Sequence, residues 1–212
     1  MRNICRPFLC FPLVLLLGIL LLGNPCKAIA FEEAVFAGGC FWCLEHDLED
    51  LNGVSSVESG YTGGKSSEPN YRNHQGHQEA VVVYFDPLKI SYEKLLRSYW
   101  RNVDPLDGGG QFCDRGDSYR PVIFTRGESQ QSFAIQSRDQ AAQELDTPIK
   151  SLKVEINDAN KFWLAEAYHQ NFAKRNSVKY KFYRYSCGRD SRLEELWGDR
   201  ARTGKQWPEL HG

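Results

Sequence analysis

The sequence predicts an α/β chain of the α+β plait type: a ferredoxin-like, split β-α-β sheet with helices on one face and long loops at its strand ends. Five short segments rich in Val, Ile, Tyr or Phe read as strands, at 33–37, 54–61, 79–85, 121–125 and 152–156. Four segments with apolar residues at helical spacing read as helices, at 40–51, 92–102, 129–145 and 166–173. Their order, β-α-β-β-α-β-α-β, is the split pattern of a ferredoxin-like sheet.

The first strand runs through Ala34-Val-Phe-Ala37 into Gly38-Gly39, a turn that only residues without a side chain make easily. Cys40-Phe-Trp-Cys43 then opens a helix, with Leu44, Leu48 and Leu51 on one side. Cys40 thus falls in the first helical turn, where unpaired N–H groups favour an anion. That setting is expected to lower a thiol's pKa and expose a nucleophilic thiolate. A buried structural cysteine is the plainer reading, but two aromatics and a second thiol crowd this turn. Ser91 caps the second helix ahead of Leu95, Leu96, Tyr99 and Trp100. The third starts near Glu128 or Ser129, and Thr147-Pro148 ends it. Two stretches, 62–78 and 104–118, are poor in aliphatic residues and rich in Gly, Asn, Asp and Ser. Loops this long in a compact domain are usually functional.

Residues 1–30 differ from the rest. Arg2 and Arg6 precede an apolar run from Phe8 to Leu22, and the stretch ends at Ala28-Ile-Ala30. This is the layout of a secretory signal peptide, cleaved after Ala30 or alternatively Ala28, leaving 31–212 as one domain. An uncleaved anchor is the other reading, although a membrane span needs about 20 apolar residues. Pro25 before Cys26 argues against lipidation. Without the leader the chain has 23 Lys and Arg against 27 Asp and Glu, a net charge of −4. No clustered positive charge suggests a nucleic-acid partner.

Three of seven cysteines leave with the leader, and Cys40, Cys43, Cys113 and Cys187 remain. An exported protein with an even count invites structural disulfides. A domain this large does not need them, and a Cys40–Cys43 ring restrains little of the chain. A zinc site wants two close pairs, and only one exists. No metal is expected.

Four further groups carry chemistry. Tyr61 leaves a strand in Gly60-Tyr-Thr-Gly-Gly64. Glu79 opens the apolar strand Ala80-Val-Val-Val83, where loss of water would hold its carboxyl protonated. Cys113-Asp-Arg-Gly-Asp-Ser-Tyr-Arg120 gathers Asp114 and Tyr119 among charges that otherwise read as a salt-bridged surface loop. Cys187, beside Gly188, sits where a mobile segment could carry its thiol to another.

These residues resemble the type A peptide-methionine sulfoxide reductases from about Glu32 to Trp197. The likeness rests on Gly39-Cys-Phe-Trp42, Gly60-Tyr-Thr-Gly-Gly64, Gly76-His-Gln-Glu-Ala-Val81, Phe85-Asp-Pro87, Asp104-Pro105, Asp114-Arg-Gly116, Tyr119-Arg120 and Ala165-Glu-Ala-Tyr-His-Gln170, all in family order. The resemblance implies attack by Cys40 on the sulfoxide sulfur of methionine-S-sulfoxide, free or in proteins. It makes Glu79 the proton donor, with Tyr61 and Tyr119 as donors to the sulfoxide oxygen. Asp114 belongs to the same pocket, while Phe41 and Trp42 form the apolar wall against the substrate methyl. A second thiol then resolves the Cys40 sulfenic acid, and a thioredoxin-type protein recycles the disulfide.

The chain departs from the family pattern at Cys43, where glycine is usual, and at Cys113, where asparagine is frequent. Cys187 resembles the resolving cysteine of members with one C-terminal thiol. It is favoured for that role, with Cys43 second because positions three apart share a helix face. The enzyme is expected to be a soluble monomer outside the cytoplasm, with no cofactor. Met1 is the only methionine, which suits work among oxidants. Two other readings stay open: a thioredoxin-like disulfide oxidoreductase using Cys40 and Cys43, and a non-catalytic domain held by disulfides.

Overall fold

The computed structural model describes residues 30–208, so the leader, apart from Ala30, lies outside the described residues. No helix among those residues is long and apolar enough to cross a membrane.

The main sheet has six strands in the order β7-β6-β1-β3-β2-β8. At its centre β1 (Glu32–Ala37) lies antiparallel to both β3 (Gln78–Phe85) and β6 (Val122–Thr125), and β3 pairs with β2 (Val54–Thr62). The order β6-β1-β3-β2 is the expected ferredoxin-like arrangement. β7 (Glu155–Asp158) joins one edge parallel to β6, making the sheet mixed, and β8 (Trp163–Leu164) covers the other.

Helices α1 (Phe41–Glu49), α2 (Tyr92–Trp100) and α3 (Gly127–Glu144) share one core with the sheet face bearing Phe36, Val81, Val83 and Ile123. Alternation along each strand sends Val35, Val82, Val122 and Phe124 to the opposite face. Leu44 and Leu48 of α1 are fully buried, as their spacing requires. Ser91 caps α2 by accepting from the Lys94 N–H at 3.3 Å.

Four differences from the sequence expectation matter for the site. The strand expected at 152–156 runs over Glu155–Asp158 instead. The helix expected at 166–173 is mostly turns, with only α4 (Phe172–Arg175) at its end. That stretch is held by side-chain bonds to other elements rather than by its own ladder. Two C-terminal helices were not legible: α5 (Ser177–Ser186) and α6 (Arg189–Trp197). α5 buries Tyr180 and Arg184 while Val178, Phe182 and Tyr185 face solvent, so its apolar pattern marks the wrong side. A small hairpin, β4 (Gly110–Gln111) with β5 (Asp114–Arg115), also stands in the second loop.

Candidate active site

β1 ends at Ala37 opposite Ala80, which brings the Gly38-Gly39 turn beside the start of β3. Gly39 has φ +83°, and a Cβ there would stand 2.7 Å from Gln111 Cβ, so this turn needs glycine. Its N–H donates to the Tyr119 carbonyl at 3.1 Å, tying the turn to a 3-10 segment at Asp117–Tyr119. Cys40 follows as the N-cap of α1.

Cys40, Phe41, Trp42, Tyr71, Glu79, Asp114, Tyr119 and Tyr183 surround a cavity of about 80 Å³. A larger cleft of about 300 Å³ between Glu49, Ser55 and Lys174 contains no thiol. The small cavity is where the chemistry gathers.

Glu79 is 2 % exposed and accepts the Phe41 N–H at 3.1 Å. Burial pushes its carboxyl up to about 8, against the pull of that N–H, and the neighbouring Asp114 adds to the rise. Glu79 is therefore largely protonated near neutrality. Asp114 accepts the Tyr183 hydroxyl at 2.5 Å. Burial raises Asp114 too, while that hydroxyl and the Cys40 N–H counteract it.

Cys40 is 6 % exposed, and its resting thiol does not behave as the sequence suggests. Burial, then a hydrogen bond with Cys43, pushes it well above the usual range. The neighbouring charges of Cys43 and Glu79 add to the rise, and a hydrogen bond from Tyr183 opposes it. Cys43 moves down instead, because it accepts the Cys40 S–H and lies near Arg189 and Arg184, although burial opposes the shift. The two thiols form a hydrogen-bonded pair with Cys40 at the cavity. Both are free, whereas Cys113 and Cys187 form a disulfide with Cα atoms 4.9 Å apart. Cys187 is thus bonded to the β4–β5 hairpin, and Cys43 is the thiol beside Cys40.

Phe41 is buried, and Trp42 stacks on Phe172 at 3.7 Å between ring centroids. Tyr119 lines the cavity as expected, but Tyr61 does not. Tyr61 is fully buried and gives its hydroxyl to Glu166 at 3.0 Å, with its ring 5.8 Å from that of Phe41. It supports the wall from behind. Tyr71 and Tyr183 line the cavity and were missed, having no motif of their own.

The 165–170 stretch, expected as a motif and a helix start, ties other elements together in three places. Glu166 also accepts the Tyr71 N–H at 3.0 Å. His169 accepts from Trp42 Nε1 at 3.1 Å. Gln170 exchanges two bonds with the Ser59 backbone, at 3.0 and 2.9 Å. These bonds fasten β2, the Tyr71 loop and α1 around the cavity.

Comparison with known proteins agrees with this geometry. The family model described as peptide methionine sulfoxide reductase matches residues 32–201. Peptide methionine sulfoxide reductase MsrA 2 of Caulobacter vibrioides is 51 % identical over 188 residues, spanning 85 % of this chain and 94 % of the relative. The Bacillus licheniformis peptide methionine sulfoxide reductase MsrA is 43 % identical over 79 % of this chain and 94 % of its own. Among solved structures, methionine sulfoxide reductase A of Corynebacterium diphtheriae superposes with a TM-score of 0.65 at 26 % identity, covering 74 % of this chain and 78 % of that one. By motif, fold and relatives alike, the chain belongs to the peptide methionine sulfoxide reductase family.

Proposed function

We propose that this enzyme reduces methionine-S-sulfoxide, free or in proteins, with Cys40 as nucleophile and Glu79 as acid. The observation that carries the reading is a thiol at the start of α1 and a largely protonated, buried carboxyl on β3 bonded to that same helix start, both facing one small cavity. Cys40 gives up its thiol proton as substrate binds, and its thiolate bonds to the sulfoxide sulfur while the oxygen takes the Glu79 proton, since an S–O bond cleaves readily only once that oxygen is protonated. The proton Cys40 released replaces the one Glu79 gave. The hydroxyl passes to the Cys40 sulfur, methionine leaves, and Cys40 becomes a sulfenic acid. Tyr119 donates to the oxygen as charge builds there. Tyr183, ordered by Asp114, is a second hydroxyl at the same cavity.

Phe41 and Trp42 hold the substrate methyl and make the pocket epimer-selective. A second thiol then attacks the Cys40 sulfenic acid, and a disulfide forms as water leaves. Cys43, hydrogen-bonded to Cys40, is the nearest candidate. A thioredoxin-type dithiol protein completes the cycle. Residues 1–30 are read as a signal peptide, so the mature domain from Phe31 works as an exported, soluble monomer. The thioredoxin-like alternative would use Cys40 and Cys43 but leaves a protonated Glu79 and the tyrosine-lined cavity without a task. Assaying the two epimers of a blocked methionine sulfoxide tests the reading. Turnover of the S epimer alone supports it, and equal rates count against it.

A further inference from the structure

Along the chain the cysteines offer one close pair, Cys40 and Cys43, and the fold makes a second. Cys113 stands at the tip of the β4–β5 hairpin, and Cys187, 74 residues on, is the C-cap of α5, with Cα atoms 4.9 Å apart. Both elements are held by bonds besides the disulfide. Gln111 anchors the hairpin: its side chain accepts the Asp104 N–H and donates to the Asp104 carbonyl, both at 2.8 Å. The Arg189 guanidinium lies over the Phe112 ring at 4.4 Å, next to the tip. α5 is fastened by Arg184, which pairs with Asp47 at 2.8 Å and Asp190 at 2.7 Å. Once a dithiol reduces the Cys113–Cys187 bond, two thiols therefore remain face to face.

Asp114 supplies a third ligand atom. Among the described residues, Cys113, Asp114 and Cys187 are the one group of three whose ligating atoms all lie within 4.8 Å of one another. Two thiolates on a tetrahedral zinc, each at about 2.3 Å, stand about 3.8 Å apart, which fits inside that span. The carboxylate is already turned to the sulfurs. Its Oδ1 lies 3.9 Å from the Cys113 sulfur, while Oδ2 accepts the Tyr183 hydroxyl at 2.5 Å. A hydrogen-bonded partner behind a ligating carboxylate is what fixes its direction in metal sites. Cys113 is exposed, so an ion reaches the group from solvent. Thiolate donors select zinc over calcium or magnesium, which take oxygen ligands.

We propose that the reduced Cys113 and Cys187 thiols, with Asp114, form a redox-gated binding site for a zinc ion. As Zn²⁺ binds, both thiols release their protons to solvent, and the two thiolates and one Asp114 oxygen leave a fourth, outward position to water. The site exists in one redox state alone. When a disulfide oxidant takes two electrons from the thiolates, the sulfurs bond to each other, the oxidant becomes a dithiol and the ion is released. A dithiol returns the electrons and reopens the site. In the other direction, bound zinc holds both thiolates and slows their oxidation. The inference goes beyond the sulfoxide reaction and stands on these three residues, although Asp114 also lines the catalytic cavity.

Zinc alone is the probe. Mature enzyme is reduced with dithiothreitol, desalted under inert gas and titrated with Zn²⁺ against a chromophoric chelator. The reduced chain should take up one ion and the oxidised chain none, with about two protons released per ion near neutrality. Cys113→Ser and Cys187→Ser should each weaken binding by about 100-fold or more, since even the partners behind a ligand are worth about 10–100-fold. Asp114→Asn should weaken it about tenfold, and the double variant Cys40→Ser with Cys43→Ser should bind as the parent does. In the unmodified chain, Zn²⁺ should slow re-formation of Cys113–Cys187 by oxidised dithiothreitol about tenfold or more. An ion held equally by reduced and oxidised enzyme, or by neither, overturns the site. So does binding that survives Cys187→Ser, binding lost in the Cys40, Cys43 double variant, or re-formation of the disulfide at an unchanged rate.

Discussion

The Phe41 backbone N–H donates to the Glu79 carboxyl at 3.1 Å, so the acid on β3 and the thiol-bearing turn before α1 share one anchor. The bond fixes the carboxyl beside Cys40. Burial first, then Cys43 and the charge of Glu79, keep the neighbouring Cys40 thiol protonated. In the free enzyme the proton sits on Glu79 and on the Cys40 thiol, so ionisation of Cys40 has to accompany substrate binding.

Replacing Glu79 with Gln keeps an acceptor for Phe41 but removes the proton. Methionine release in one turnover without reductant should slow by about 10²-fold or more, the usual worth of a placed acid. The pH profile should change with it. In the parent enzyme the rate of this step should decline above about 8, where Glu79 loses its proton. The variant should show no decline there. An unchanged rate would mean that another group protonates the oxygen.

The same carboxyl links stability to pH. Glu79 in the fold titrates near 8 and Glu45 near 7, both well above the ordinary value of 4.5, chiefly through burial. Between 4.5 and 8 the folded chain holds protons that the unfolded chain has released. Stability from these groups is therefore fully present below about 4.5 and lost as pH rises through 7 and 8. Thermal unfolding followed at pH 5, 7 and 8.5 should show the parent losing more than Glu79→Gln across that range. Equal losses would contradict a buried, proton-holding Glu79.

Glu166 organises the wall without touching the cavity. It accepts from the Tyr61 hydroxyl and the Tyr71 N–H, both at 3.0 Å. Glu166→Ala should cost about 1–3 kcal/mol of stability from two lost bonds, the Tyr61 hydroxyl being left buried. It should also raise KM for sulfoxide more than it lowers kcat, because Tyr71 lines the cavity. Denaturant unfolding and steady-state kinetics check both. A fall in kcat with KM unchanged would point to a direct part in the chemistry.

Legibility in the sequence followed physical cause. The central plait was readable because β1, β3 and β6 bury both faces and announce it as runs of Val, Phe and Ile. The dry setting of Glu79 was readable because an apolar strand dictates it, whereas Cys40 was expected to hold a low-pKa thiolate and burial pushes it up instead. Tyr61 was given to the oxygen by the family resemblance, and its bond to Glu166, 105 residues away, could not be read from its own motif. α5 escaped detection because its large apolar side chains face outward. The Cys113–Cys187 pairing depends on where α5 ends, so it could not be seen until that helix was in place.

The export reading concerns residues that precede the described domain. Protein recovered from outside the cytoplasm should begin at or near Phe31, as read by N-terminal sequencing. Intact Met1 on protein from the membrane fraction would show an uncleaved anchor instead.

The most direct measurement is one-turnover methionine formation by reductant-free enzyme from each sulfoxide epimer, run beside Cys40→Ser. The parent should release methionine from the S epimer alone, and Cys40→Ser should release none, since serine forms neither the thiolate nor the sulfenic acid. Substantial methionine from Cys40→Ser, or equal yields from both epimers, would contradict the assignment of this cavity as the sulfoxide-reducing site.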